Sequence, residues 1–127
     1  MQPPDLFQNQ LYLNLETFRK NGEGVKTPVW FVQDGETLLA TTYADSGKMK
    51  RVRKNARVNI APCTIDGALL GPWCPALARE SVRPGIKQTV NQMMDLKYGE
   101  IKKQYEAQEG EDTASARWTI LELNLEG

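Results

Sequence analysis

Apolar and polar positions alternate with a period of two in several short runs of this chain. Leu11, Leu13 and Leu15 interleave with Tyr12, Asn14 and Glu16, the signature of a half-buried strand. Asn21-Gly22-Glu23-Gly24 marks a turn. Val25 to Gln33 then sets Val25, Thr27, Val29 and Phe31 on one face and Lys26, Pro28, Trp30 and Val32 on the other. Asp34-Gly35 predicts a hairpin, and Thr37 to Tyr43, rich in Thr and Leu, a third strand. Residues 11–43 therefore read as an antiparallel meander.

The period changes at Asp45-Ser46, where a capping residue precedes Met49, Val52 and Ala56 at helical spacing, predicting a short helix over residues 47–55. Val58 to Cys63 resumes strand character, and Asp66-Gly67 signals another hairpin. The return from Ala68 to Arg79 contains Pro72 and Pro75, which predict an interrupted or edge strand. From Pro84 onward, Ile86, Val90, Met93 and Met94, Tyr98, Ile101 and Tyr105 step at three and four residues, an amphipathic helix with Gly99 as its candidate break. Gln108 to Ala114 reads as an acidic loop, and Arg117 to Leu125 closes with an alternating strand. Six strands with two helical inserts favour a small antiparallel barrel, because closure removes edges that so short a chain has few other means to cover.

Length and composition narrow the function. The chain has 127 residues, 40% of them hydrophobic and 25% charged, which suits one domain around one core. No run of about 18 apolar residues suggests a membrane span, and the start lacks a signal-peptide pattern, so a cytoplasmic location is expected. Histidine is absent, and Cys63 and Cys74 are too few for a disulfide framework or a metal cluster. Without histidine the Ser-His-Asp and Cys-His systems are excluded, so any chemistry is expected to come from a bound cofactor. Sixteen basic residues balance sixteen acidic ones, but no acid lies between Gly47 and Ile65, where Lys48, Lys50, Arg51, Arg53, Lys54 and Arg57 crowd together.

That crowding carries the strongest local signal. A helix start has partial positive charge and ordinarily draws Asp or Glu into its first turn, yet Lys48, Lys50 and Arg51 stand here. Ser46 can cap and donate, Gly47 admits a ligand close to the backbone, and Lys48 adds a full charge, the parts of a phosphate site. Lys50, Arg53, Lys54 and Arg57 fall nearer the solvated side by helical geometry. A solvated basic helix with Ser46 as a plain cap is the competing reading. Nearby, Lys26 to Phe31 could offer backbone amides to the edge of a planar heterocycle, and Thr41 and Thr42 hydroxyls to a polyol or phosphate. Trp30 as a core aromatic and the threonines as ordinary strand residues are the plainer alternatives.

Taken in order and spacing, Thr17 to Gly22, Thr27 to Phe31, Thr42 to Arg51, Ala61-Pro62-Cys63 and Gly71-Pro72-Trp73 resemble the pyridoxamine 5'-phosphate oxidase-like, FMN-binding split-barrel family. The similarity is nearest to its short branch often labelled F-420-dependent, and it covers roughly residues 11–80. The resemblance implies a mainly β fold, a six-stranded antiparallel split β-barrel with helical inserts, and a homodimer with cofactor sites between subunits. By position, Lys26, Thr27, Pro28, Val29, Trp30 and Phe31 would line the ring of FMN or coenzyme F-420. Thr41 and Thr42 would sit near the ribityl and phosphate, and Ser46 and Lys48 would hold the phosphate. Arg51 and Arg53 would support a phosphate or a longer cofactor tail, and Trp73 would face the substrate side or the dimer partner.

The chain departs from the pattern at Cys74-Pro75, expected to interrupt a strand, and it lacks the C-terminal substrate segment of the vitamin-processing oxidases. Pyridoxamine phosphate oxidation is therefore not the activity expected. The leading expectation is hydride transfer between FMN or F-420 and a small organic substrate, with Tyr43 or water as proton donor. Two others compete: a non-catalytic flavin or deazaflavin carrier, and a nucleic-acid patch at Lys48 to Lys54, which the zero net charge and the lack of interleaved aromatics oppose.

Overall fold

A computed structural model describes residues 3–114 and 117–126. A single 3-10 turn, Pro3–Phe7, leads into β1 (Tyr12–Phe18), β2 (Gly24–Val29), β3 (Phe31–Asp34) and β4 (Thr37–Tyr43). Helix α1 (Gly47–Lys54), β5 (Arg57–Cys63), β6 (Cys74–Glu80), helix α2 (Ile86–Ala114) and β7 (Trp118–Leu125) follow. The strands form one antiparallel sheet in the order β2-β1-β5-β6-β7-β4-β3.

Seven strands replace the expected six because the run from 24 to 34 divides at Trp30. Its first half pairs with β1 and its second with β4, so the two edges of the sheet are successive stretches of one chain. The sheet curls back on itself through that covalent link. The expected meander is thus two hairpins, β1 with β2 and β3 with β4, rather than three strands in a row. Alternation survives the break: Val29 and Phe31 enter the barrel, while Trp30 and Val32 face outward under α2.

All seven strands supply the interior, including Leu13, Leu15, Leu38, Ile60, Ala78 and Leu121. Met49 and Val52 of α1 join this core, as does Phe7, whose ring meets Phe31 edge-on at 6.0 Å. A second cluster lies outside the sheet, where Val90, Met94 and Tyr98 of α2 cover Val32, Leu39 and Ile120. Two elements therefore bury a single apolar stripe each, as their 3.6-residue spacing predicts.

Four expectations need correction. β6 is neither an edge strand nor interrupted at Cys74-Pro75; it starts there and pairs with both β5 and β7. Proline is tolerated at the second residue, where its carbonyl still accepts from the Glu126 N–H at 3.1 Å. The interruption comes earlier, since only an isolated bridge from Cys63 to Leu69 precedes it. The acidic stretch 108–114 is the last part of α2, not a loop. The side chains of Tyr105 and of those acids lie outside the described residues. Ala56 falls beyond α1 and is exposed, so the helix buries two residues of the expected three. Helix α2 also runs on through Gly99, the expected break, which takes φ +43 there.

Candidate functional site

Helix α1 begins as its sequence dictates. Ser46 has extended backbone, and its Oγ accepts from the Met49 N–H at 3.3 Å, the N-cap arrangement. Thr42 Oγ1 lies 3.3 Å from Ser46 Oγ. With Met49 N–H donating to it and Thr42 able to donate as well, Ser46 can turn its own proton to an external oxyanion. The first turn contains no acid.

Lys48 is half-buried, and burial pulls its ammonium below the ordinary lysine range, with the neighbouring Arg51 charge pushing the same way. Arg51 is lowered too, by desolvation and then by Arg19. Its Nε donates to Thr17 Oγ1 at 2.6 Å, which holds the guanidinium over the end of β1. A Cβ added at Gly47 would stand 2.9 Å from Arg51 Nη1, so the lack of a side chain there lets the guanidinium lie against the helix start. Arg19 makes one exposed bridge, to Glu23 at 3.5 Å. Among the described residues, neither Lys48 nor Arg51 meets a carboxylate. Three cations converge on one helix start, where the ion pair among the described residues is the exposed Arg19–Glu23 bridge.

The remaining expected residues divide. Arg53, two positions beyond Arg51 and so on the opposite side of the helix, is exposed and donates from Nε and Nη2 to Glu80 Oε1 at 3.3 and 3.1 Å. It does not join the cluster. Thr41 and Thr42 occupy opposite faces of β4, and only the buried Thr42 reaches Ser46. Tyr43 faces away with Thr41, and its ring lies on Trp118 at 4.1 Å between centroids.

The expected ring-lining strand also splits by face. Thr27 lies on the face of Val29 and Phe31, which are buried in the barrel. Phe31 is occupied at its backbone as well: its N–H donates to the Tyr98 hydroxyl at 3.0 Å, and its carbonyl accepts from Lys97 Nζ at 2.8 Å. Lys26, Pro28 and Trp30 point outward. Lys26 Nζ stands 5.6 Å above the Trp73 ring, Pro28 packs beside Gly67, and Trp30 stacks on Tyr98 at 4.4 Å with planes 8° apart. Trp73 therefore sits over the outer face of β2, on the loop between β5 and β6.

Two residues with site character escaped the sequence reading. Arg19 follows the turn-side end of β1 and comes near Arg51 only through the β1–β2 hairpin and the packing of α1 on β1. Lys97 lies inside a regular amphipathic stretch whose spacing gives no hint that its amine turns toward Phe31.

The arrangement defines a class of fold. The chain has the split-barrel fold of the pyridoxamine 5'-phosphate oxidase-like proteins, here as a seven-strand curled antiparallel sheet with two helices. A candidate pyridoxamine 5'-phosphate oxidase of Listeria innocua superposes with a TM-score of 0.68 at 16% identity, over 97% of this chain and 90% of that one. An F420 reductase matches with a TM-score of 0.62 at 19% identity, over 97% and 92%. HutZ, the heme storage protein of Vibrio cholerae, matches at 0.70 and 17% identity, over 97% and 87%. No family model matches the chain, and no curated protein matches it by sequence. Among the described residues, no helix is long and apolar enough to cross a membrane.

Proposed function

We propose that this protein binds FMN or coenzyme F-420 at the start of α1 and serves a hydride transfer between that cofactor and a small organic substrate. The observation that carries the reading is the uncompensated charge: Lys48 and Arg51 are drawn in beside the Ser46 cap without a carboxylate among the described residues. A cofactor phosphate supplies the missing negative charge. Ser46 Oγ would donate to a phosphate oxygen, Lys48 would place a charge beside it, and Arg51, steadied by Thr17, would offer its free guanidinium nitrogens.

When bound, the flavin or deazaflavin provides the two-electron chemistry; the chain provides orientation, charge and exclusion of water. Two copies are expected to complete the site, with Trp73 and the outer face of β2 turned toward the substrate or the partner. The barrel is shared with a heme storage protein, which favours a second reading in which the cofactor is carried without turnover.

An absorbance titration with FMN and with F-420 tests the proposal. Saturable micromolar binding of one of them is expected, and binding of neither would sink it. Reduction of the bound cofactor, followed by reoxidation on adding members of a substrate panel, separates the enzyme from the carrier.

A further inference from the structure

A hollow of about 530 Å³ opens between the stretch following the 3-10 turn and α2. Gln8, Gln10 and Gln33 form its polar wall over the buried Phe7 and Phe31, and Lys97 stands at its edge. It is an open depression rather than an enclosed cavity. Asn9, also on its border, has φ +62, the left-handed value that shapes the turn there and that asparagine tolerates.

Lys97 is the unusual member. Its ammonium donates to the Phe31 carbonyl at 2.8 Å, lies 3.5 Å from the Phe31 ring centroid and 5.3 Å from that of Tyr98. Every one of these partners is neutral. Among the described residues no carboxylate reaches it, and burial lowers its pKa to about 8. Among the described residues the ammonium has no counter-charge, and its bond to Phe31 takes one of three protons. Gln33 has its amide nitrogen committed to the Gly35 carbonyl at 3.1 Å. Gln8 and Gln10 add donors without charge. One cation with amide donors beside the exposed Leu11 suits a monoanion with an apolar body, whereas the three cations at α1 suit a phosphate.

We propose that this hollow binds a small organic carboxylate, its carboxyl group on Lys97 Nζ and its apolar body against the half-exposed Leu11. Apart from Phe31, whose side chain stays in the core, no residue of the hollow was assigned to the cofactor, so the site stands independently of the proposed function.

Benzoate is the probe, titrated calorimetrically into the full chain, with and without saturating inorganic phosphate at α1. Saturable binding is expected in both cases. Benzamide, the neutral isostere, should bind about tenfold more weakly, and K97Q should lose about tenfold in benzoate affinity while K97R keeps most of it. On the unmodified protein, benzoate should also protect Lys97 from an amine-acylating reagent, read by peptide mass spectrometry, which decides the matter even where a variant folds poorly. No saturable binding at millimolar benzoate, equal affinity for benzamide, or unprotected Lys97 would overturn the proposal.

Discussion

The α1 start and the β6–β7 face are both rich in cations, but they handle them in opposite ways. On the β6–β7 face, Glu122, only 4% exposed, accepts from Arg79 at 3.0 Å and Arg83 at 3.2 Å, while Glu80 accepts from Arg53 and, at 2.6 Å, from Thr119. Both carboxyls are held below the usual carboxylate range, Glu122 first by a hydrogen bond from Ser81 and Glu80 first by Thr119. Charge there is settled within the chain. At α1, Arg51 donates to the Thr17 hydroxyl and Lys48 is half-buried, and among the described residues neither meets an acid. The contrast teaches that the basic run from 48 to 57 is not one patch: Arg53, on the β6 side, is paired with Glu80, whereas among the described residues Lys48 and Arg51 meet no acid.

Removing both of those cations should do most to break the contrast. Lys48→Ala combined with Arg51→Ala is expected to weaken cofactor binding about a hundredfold, near 2.7 kcal/mol, in an equilibrium titration. Next, Glu122→Ala should cost about 2 kcal/mol of stability in urea denaturation, because two charge-assisted bonds to a buried carboxylate are lost, with cofactor affinity unchanged. The same carboxylates predict a pH dependence. Their folded pKa values are depressed, so their contribution is full above the ordinary carboxylate range and disappears as pH falls through the folded values. Glu122→Gln should therefore flatten the acid limb of a stability profile measured by circular dichroism.

Smaller effects sharpen the division. Lys48→Ala alone should lower affinity about tenfold, or 1.4 kcal/mol, without unfolding the chain. Arg53→Ala should leave affinity within about twofold and cost less than about 1 kcal/mol of stability, since its bridge to Glu80 is largely exposed. An Arg53→Ala effect on binding as large as that of Lys48→Ala would erase the distinction between the two sides of the helix.

Much of this architecture was legible in the residues. Period-two runs located the strands, and Ser46 with the switch to Met49 and Val52 located α1 to within a residue. The division of strand 24–34 was not legible, because alternation passes through Trp30 unbroken and only pairing with β1 and then β4 bends the chain. The helical course of residues 108–114 was hidden by their acidity, since an acidic stretch gives no apolar stripe to mark a period.

At the site, two separations were already implicit in geometry. Adjacent strand residues such as Thr41 and Thr42 must face opposite ways, and Arg51 and Arg53 lie about 200° apart around a helix. The convergence of Arg19 on Arg51 and the burial of Lys97 against Phe31 depend on contacts distant in sequence, and no local pattern announces them.

The central claim, that Lys48 and its neighbours hold a cofactor phosphate, is tested most directly by comparing FMN with riboflavin, which lacks the phosphate, on the wild-type chain and on Lys48→Ala. The account predicts that the wild type binds FMN at least about tenfold more tightly than riboflavin and that Lys48→Ala loses most of this difference. Equal affinity of the wild type for the two ligands, or an unchanged preference in Lys48→Ala, would contradict it.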